Sequence, residues 1–365
     1  GTMFQTKGLP AGVSPEVFGL TRPDVVKAIH EEYVAAGAMA LTTNTFGGTR
    51  FKLPPEVDVK DLNRMMVEVC REAAGDKALV AASIGPCGHL VKPMGDMDLG
   101  DLVEAFREQI QGLAQGKPDF LIAETHFDLA EVKAILLAAR EVCDLPVAVS
   151  MTFEKGVTLT GTSPRIFAQT MRNFEVDLVG VNCGAGPEEY LPVVGELASV
   201  LDIPVLAQPN AGLPVLEDGK SVFRMGPEEF AIKTRELHRA GAQFLGGCCG
   251  TSPDHIRALI QALESEPFHE VGSLPEGRIV LTARSEAVEV GADAPCRIIG
   301  ERINPTGKKK LIAELQASQY TYAMTLAEEQ LEMGAPILDV NVGAPMVDET
   351  VILPALVESL TGRFW

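Results

Sequence analysis

The chain has 365 residues, 46% of them hydrophobic and 22% charged, a balance that excludes global disorder and supplies a sizeable core. Its 31 Lys and Arg stand against 50 Asp and Glu, and the formal charge of −19 repels phosphate backbones, so no nucleic-acid partner is expected. No apolar run reaches the ~20 residues that span a bilayer and no signal peptide opens the chain, so no membrane partner is expected and a cytoplasmic location is.

Short apolar runs at 39–46, 79–84, 120–124, 147–153, 178–183, 205–209 and 244–249 predict strands, most of them ending in a Gly, Pro or Asn cluster. Stretches of helical period lie between them, clearest at 23–36, 62–74, 99–115, 129–142, 227–240 and 253–263. Ser163-Pro164 and Ser252-Pro253 read as helix starts, since the hydroxyl accepts an orphan N–H and Pro fits the first turn. Continuous rather than alternating apolar strands imply a parallel sheet covered on both faces. With a strand cut off before Gly1 the units sum to eight, so residues 1–263 predict an α/β fold, a (β/α)8 TIM barrel lacking most of its first strand. Periodicity leaves an open, doubly wound sheet as the alternative. Residues 264–296, with scattered Pro, Gly and acidic residues and one extended piece at 278–281, read as a linker. A strand at 297–300, a helix over 309–333 and a strand at 337–342 then open a second α/β domain, 297–365. A barrel needs about 250 residues, so this second one is truncated.

The seven cysteines are too sparse for a disulfide scaffold and suit a reducing cytosol. Cys183 ends one predicted strand, and Cys248 and Cys249 end another two strands on. In a barrel these ends share the carboxyl rim where active sites are built. Three thiolates leave one tetrahedral position open, the pattern of a catalytic Zn²⁺ site. Buried cysteines are also common small hydrophobes, and that reading holds for Cys70, Cys87, Cys143 and Cys296. His126 reads as a packing or hydrogen-bonding residue.

Asn182-Cys183-Gly184-Ala185-Gly186-Pro187, Pro209-Asn210-Ala211-Gly212-Leu213-Pro214 and Gly246-Gly247-Cys248-Cys249-Gly250-Thr251, in that order, resemble the homocysteine-binding barrel of thiol methyltransferases. Thr43-Asn44-Thr45-Phe46 and Glu124-Thr125-His126-Phe127-Asp128 match the same family. The resemblance implies homocysteine as substrate, Cys183, Cys248 and Cys249 as catalytic zinc ligands, and Glu124 as partner of the substrate ammonium. Asn210 and Asn44 are weaker rim candidates for substrate contact. Gly1-Thr2-Met3 resembles the family's first strand end. The acidic residue that normally stands just before it is absent here, so an impaired ammonium clamp is expected.

Gly300-Glu301-Arg302-Ile303-Asn304-Pro305-Thr306-Gly307 and Leu338-Asp339-Val340-Asn341 resemble the start of a pterin-binding methyltransferase barrel. The two barrels joined are the arrangement of cobalamin-dependent methionine synthases. That resemblance implies methyl transfer from methylcobalamin, carried by a further domain of the full-length protein and remethylated from 5-methyltetrahydrofolate. Glu301, Asn304, Asp339 and Asn341 are then the candidate pterin contacts. A free thiol has a pKa near 8.5, and coordination to zinc removes its proton, so the metal generates the nucleophile. Two other readings stand beside this one: a homocysteine S-methyltransferase using betaine or S-methylmethionine, and a non-enzymatic metal-storage or thiol-binding module.

Overall fold

The computed structural model describes residues 2–10, 12–92, 94–217, 220–272 and 278–364. They pack as two compact units, Gly1–Val91 with Gly95–Leu274, and Pro275–Trp365 with Lys92–Met94.

The first unit opens on helices α1 (Thr2–Thr6), α2 (Pro15–Thr21) and α3 (Pro23–Ala35). Strands and helices then alternate: β1 (Ala40–Thr42), α4 (Val59–Ala74), β2 (Leu79–Ile84), α5 (Leu99–Gln115), β3 (Phe120–His126), α6 (Leu129–Val142), β4 (Val147–Met151) and α7 (Pro164–Asn173). The series continues through β5 (Leu178–Asn182), α8 (Pro187–Val200), β6 (Val205–Gln208), a hairpin β7 (Val215–Glu217) and β8 (Lys220–Val222), α9 (Pro227–Arg239), β9 (Phe244–Leu245) and α10 (Pro253–Leu263). Side-chain caps set several helix starts: Ser14, Asp58, Asp128 and Ser163 each accept a first-turn N–H.

Seven strands form one parallel sheet in the order β1-β2-β3-β4-β5-β6-β9. Its helices resolve the choice between open and curled sheets. α3 packs on α4, α4 on α5, α5 on α6, α7 on α8, α8 on α9 and α9 on α10, and α10 returns onto α3. The Tyr33 hydroxyl on α3 donates to the Thr251 carbonyl just before α10, at 3.1 Å. In an open sheet the first and last helices lie at opposite edges. Here they touch, so the sheet curls into a TIM-like barrel. The expected eighth strand is not among the described residues. Thr2–Thr6 is helical instead, and its Phe4 is buried edge-on against Phe18, with ring centroids 6.1 Å apart.

Strand alternation sorts the side chains onto two faces. Outward residues such as Val80, Leu121, Val149, Val179 and Ala207 form the main core with the helices. Inward residues Ala81, Ile122, Ala148 and Leu206, with Phe120 and Leu178, form a separate apolar plug. Burying the outer layer supplies most of the stabilisation, at about 25 cal/mol per Å² of apolar surface.

The second unit has its own core, with Ile303, Leu311, Leu315, Leu326 and Leu356 at its centre. It comprises an antiparallel pair β10 (Arg278–Thr282) and β11 (Ala287–Gly291), and a parallel pair β12 (Ile299–Ile303) and β13 (Ile337–Val340). Three helices accompany them, α11 (Lys309–Gln316), α12 (Thr321–Glu332) and α13 (Glu349–Arg363). Two expectations are corrected. Residues 278–291 form a hairpin in a stretch read as linker, and the single helix over 309–333 is two helices. The break falls where Ser318 adopts φ 53° and the Tyr322 N–H is taken by the Glu314 carboxylate at 2.7 Å. A left-handed residue cannot continue an α-helix. The described residues of this unit hold one pair of parallel strands, not a barrel.

Candidate active site

Cys183 follows β5, and Cys248 and Cys249 follow β9, with β6 between those two strands in the sheet. Their three sulfurs lie within 4.8 Å of one another, with Cys183 Sγ 3.8 Å from Cys249 Sγ. Among the described residues no other group of three His, Cys, Asp or Glu side chains converges this closely. All three thiols are free and half-buried.

Strained backbone delivers the first sulfur. Cys183 has φ 60°, a left-handed conformation that a non-glycine residue adopts at a cost of order 1–3 kcal/mol and keeps only when its surroundings impose it. Tyr190, buried on α8, imposes it by donating its hydroxyl to the carbonyls of both Asn182 and Cys183. Thr152 adds a bond to the Asn182 carbonyl at 2.9 Å. Asn210 serves the other pair, its Oδ1 accepting from the Cys249 N–H at 3.0 Å. Sulfurs this close cannot all ionise independently. Thiol hydrogens of Cys248 and Cys249 turned toward Cys183, with help from the Gly184 backbone and Asn210, hold Cys183 well below the ordinary thiol range. The same contacts with Cys183, with burial, push Cys248 and Cys249 up.

Below the sulfurs, the inward positions of the sheet change from apolar to polar. The parallel register pairs Ala81 with Phe120 and Ala148 with Leu178 deep in the barrel, then Ser150 with Gly180, and Asn182 with Gln208 nearest the rim. Glu124, two residues beyond inward-facing Ile122, accepts from the Ser83 hydroxyl at 2.5 Å. Its burial raises its pKa, against opposing effects of Ser83 and His126. Asn182 accepts from the Thr125 N–H at 2.8 Å and the Ser150 hydroxyl at 2.7 Å, and donates to Thr125 Oγ1 at 2.7 Å. Thr125 is itself left-handed, at φ 64°. One amide thus braces the strained residue beside Glu124 and immediately precedes the strained residue that carries a sulfur.

Within the first unit, Asn44 and His126 do not join this cluster. Asn44 is buried under α2, where its amide donates to the Pro15 carbonyl at 2.8 Å and meets the Met66 sulfur at 3.7 Å. His126 is fully buried between Glu131 Oε2 at 3.2 Å and the Ile84 carbonyl at 3.1 Å. Cys70 and Cys87 are buried and push up to about 12, inert as nucleophiles. In the second unit, Glu301 and Asp339 are exposed on the neighbouring strands β12 and β13. Asn304 and Asn341 follow those strands, and their Oδ1 atoms accept from Thr306 N and Gly343 N at 3.0 and 2.8 Å, shaping the turns. Sequence motifs did not single out Tyr190, Ser83, Ser150 or Gln208. The signal for the last three was there: each stands two residues beyond an inward apolar position of its strand.

The homocysteine S-methyltransferase family profile matches residues 1–263. Among solved structures, the homocysteine methyltransferase MmuM of Escherichia coli in its oxidised form is 22% identical, with a TM-score of 0.61 over 71% of this chain and 92% of that one. Its metallated form gives 22% and 0.60 over the same shares. Its apo form gives 21% and 0.57 over 72% and 92%. At this identity the MmuM structures speak for the fold, and the family rests on the profile, whose span takes in every strand of the barrel and the three converging sulfurs: the chain belongs to the homocysteine S-methyltransferase family.

Proposed function

We propose that the chain methylates the sulfur of homocysteine, with Zn²⁺ held by Cys183, Cys248 and Cys249. The observation that carries this is the sulfur spacing. A tetrahedral Zn²⁺ with Zn–S bonds of ~2.3 Å places its sulfurs ~3.8 Å apart, and Cys183 and Cys249 stand at 3.8 Å. The donor set is also right: three soft sulfur ligands, free and converging. Three ligands leave one position for the substrate sulfur, and a metallated form exists for the MmuM relative. When bound, the metal supplies Lewis acidity that keeps the homocysteine sulfur deprotonated at neutral pH.

The chain's own residues do the rest. Tyr190 and Asn210 hold the ligand sulfurs in place, and the Glu124 carboxylate receives the substrate ammonium. The thiolate lone pair forms the S–CH3 bond as the bond from methyl to donor breaks, its electron pair leaving with the donor. We read the donor as methylcobalamin, carried by a further domain of the full-length protein and remethylated from 5-methyltetrahydrofolate. Support comes from the second unit, where Asn304 and Asn341 follow the carboxyl ends of two neighbouring parallel strands that carry Glu301 and Asp339, the side on which such sheets bind ligands. A betaine or S-methylmethionine donor fits the same sulfur site. Three close free thiols suit a reducing cytoplasm, and no helix among the described residues is long and apolar enough to cross a membrane.

The test measures zinc content and methionine formation from homocysteine with free methylcobalamin, S-methylmethionine or betaine. Stoichiometric zinc and turnover with methylcobalamin support the reading. Turnover only with a sulfonium or betaine moves the donor, and methionine formed equally fast without zinc sinks the activation mechanism.

A further inference from the structure

Gln208 ends β6, the strand that runs between the two cysteine-bearing strands β5 and β9. It pairs in register with inward-facing Asn182 and stands two residues beyond Leu206 of the apolar plug, so its side chain enters the barrel beneath the sulfurs. Room for it comes from the neighbouring strand end, where a Cβ on Gly246 would sit 3.2 Å from Gln208 Cγ. Its backbone carbonyl accepts from the Cys183 N–H at 3.2 Å, which ties the residue to the first sulfur.

The other inward polar groups consume one another. Ser83 donates to Glu124, Ser150 donates to Asn182, and the Asn182 amide donates to Thr125 Oγ1 and reaches Cys248 Sγ at 4.0 Å. Gln208 Oε1 does not take part: it is shut off from solvent and has no hydrogen-bond partner among the described residues. Leaving a buried acceptor unpaired is unfavourable, so such an atom inside a site calls for a donor from outside the chain.

The geometry points to Gln208 as a binding residue for the amino-acid end of the substrate, its Oε1 accepting an N–H of the homocysteine ammonium. This deepens the homocysteine reading and rests on it. An ammonium has three N–H donors, and one carboxylate such as Glu124 does not exhaust them. Gln208 thereby selects for a thiol that carries an amino group, in a site whose metal alone would accept any small thiol.

The test is calorimetric binding of L-homocysteine and of 4-mercaptobutyrate, which keeps the thiol and carboxylate but lacks the amino group, to the zinc-loaded full chain and its Gln208→Leu and Gln208→Glu variants. The expected result is that Gln208→Leu weakens homocysteine roughly 10- to 100-fold, leaves 4-mercaptobutyrate within twofold and keeps the wild-type zinc content. Gln208→Glu retains an acceptor and with it the preference for homocysteine. Equal weakening of both thiols, unchanged homocysteine binding or zinc loss in both variants overturns the assignment. If the wild-type protein binds zinc but not homocysteine, the homocysteine reading itself falls, an outcome distinct from wild-type binding that Gln208→Leu leaves intact.

Discussion

A sulfur held by strained backbone is only as well placed as the bonds that hold it. The Tyr190 hydroxyl is the one side-chain donor shared by the Asn182 and Cys183 carbonyls among the described residues, and the ring is fully buried. Tyr190→Phe keeps the packing and removes both bonds. We expect a loss of about 1–3 kcal/mol in unfolding free energy and roughly 10- to 100-fold in zinc affinity, read by denaturation and by chelator competition. Unchanged zinc affinity would show that Cys183 keeps its conformation without this bond. Replacing a sulfur acts more directly. Cys183→Ala, Cys248→Ala and Cys249→Ala should each abolish stoichiometric zinc after dialysis and the methylation that depends on it, and metal retained in all three would remove the three-thiolate site. The cysteines were legible in the sequence because their residue type is rare and their motifs stand in order. Tyr190 was not, because a tyrosine on a helix reads as core until its hydroxyl is seen to meet two carbonyls.

Among the elements, β5 bears the most constraint. Gly180 lies on its inward face, where an added Cβ would sit 2.4 Å from the Leu206 carbonyl oxygen and 2.6 Å from Leu206 Cβ. Backbone cannot yield as a flexible side-chain tip does, so Gly180→Val should destabilise by about 3 kcal/mol or more by overpacking; thermal melting checks it, and a melt within 2 °C would mean that the inner layer has slack. The α7 N-cap is a milder case. Ser163 accepts from the Ile166 N–H at 3.3 Å, so Ser163→Ala should cost about 1 kcal/mol, measured by urea denaturation. Such caps and the long apolar runs made these elements readable in advance. Short pairs were harder to read: β7–β8 went unread and β10–β11 showed only as the extended piece at 278–281, because strands of three to five residues carry too few positions for a clear period.

At the scale of the molecule, acid meets a buried pair, Glu131 with His126. Burial alone would raise Glu131, but hydrogen bonds from His126 and the Cys87 N–H, with the field of His126, outweigh it and leave the carboxyl below the usual 4.5. A depressed carboxyl pKa adds stability above its unfolded value, lost as pH falls through the folded one. Unfolding free energy should therefore drop as pH goes below 4.5. Glu131→Gln should lower it by about 2 kcal/mol at pH 7 and flatten that acid limb, and parallel limbs in the two proteins would place the acid sensitivity elsewhere. The sequence by itself determined the alternation of strands and helices, the parallel sheet and the identity of the three sulfurs, because apolar period, cap chemistry and rare residue types are local properties. Whether the sheet opens or curls, which polar side chains share its inner face and how far apart the sulfurs stand were decided only by tertiary structure. Those properties depend on residues distant in sequence: α3 meeting α10, Asn182 lying beside Gln208, and Cys183 turning left-handed under Tyr190 to reach Cys249.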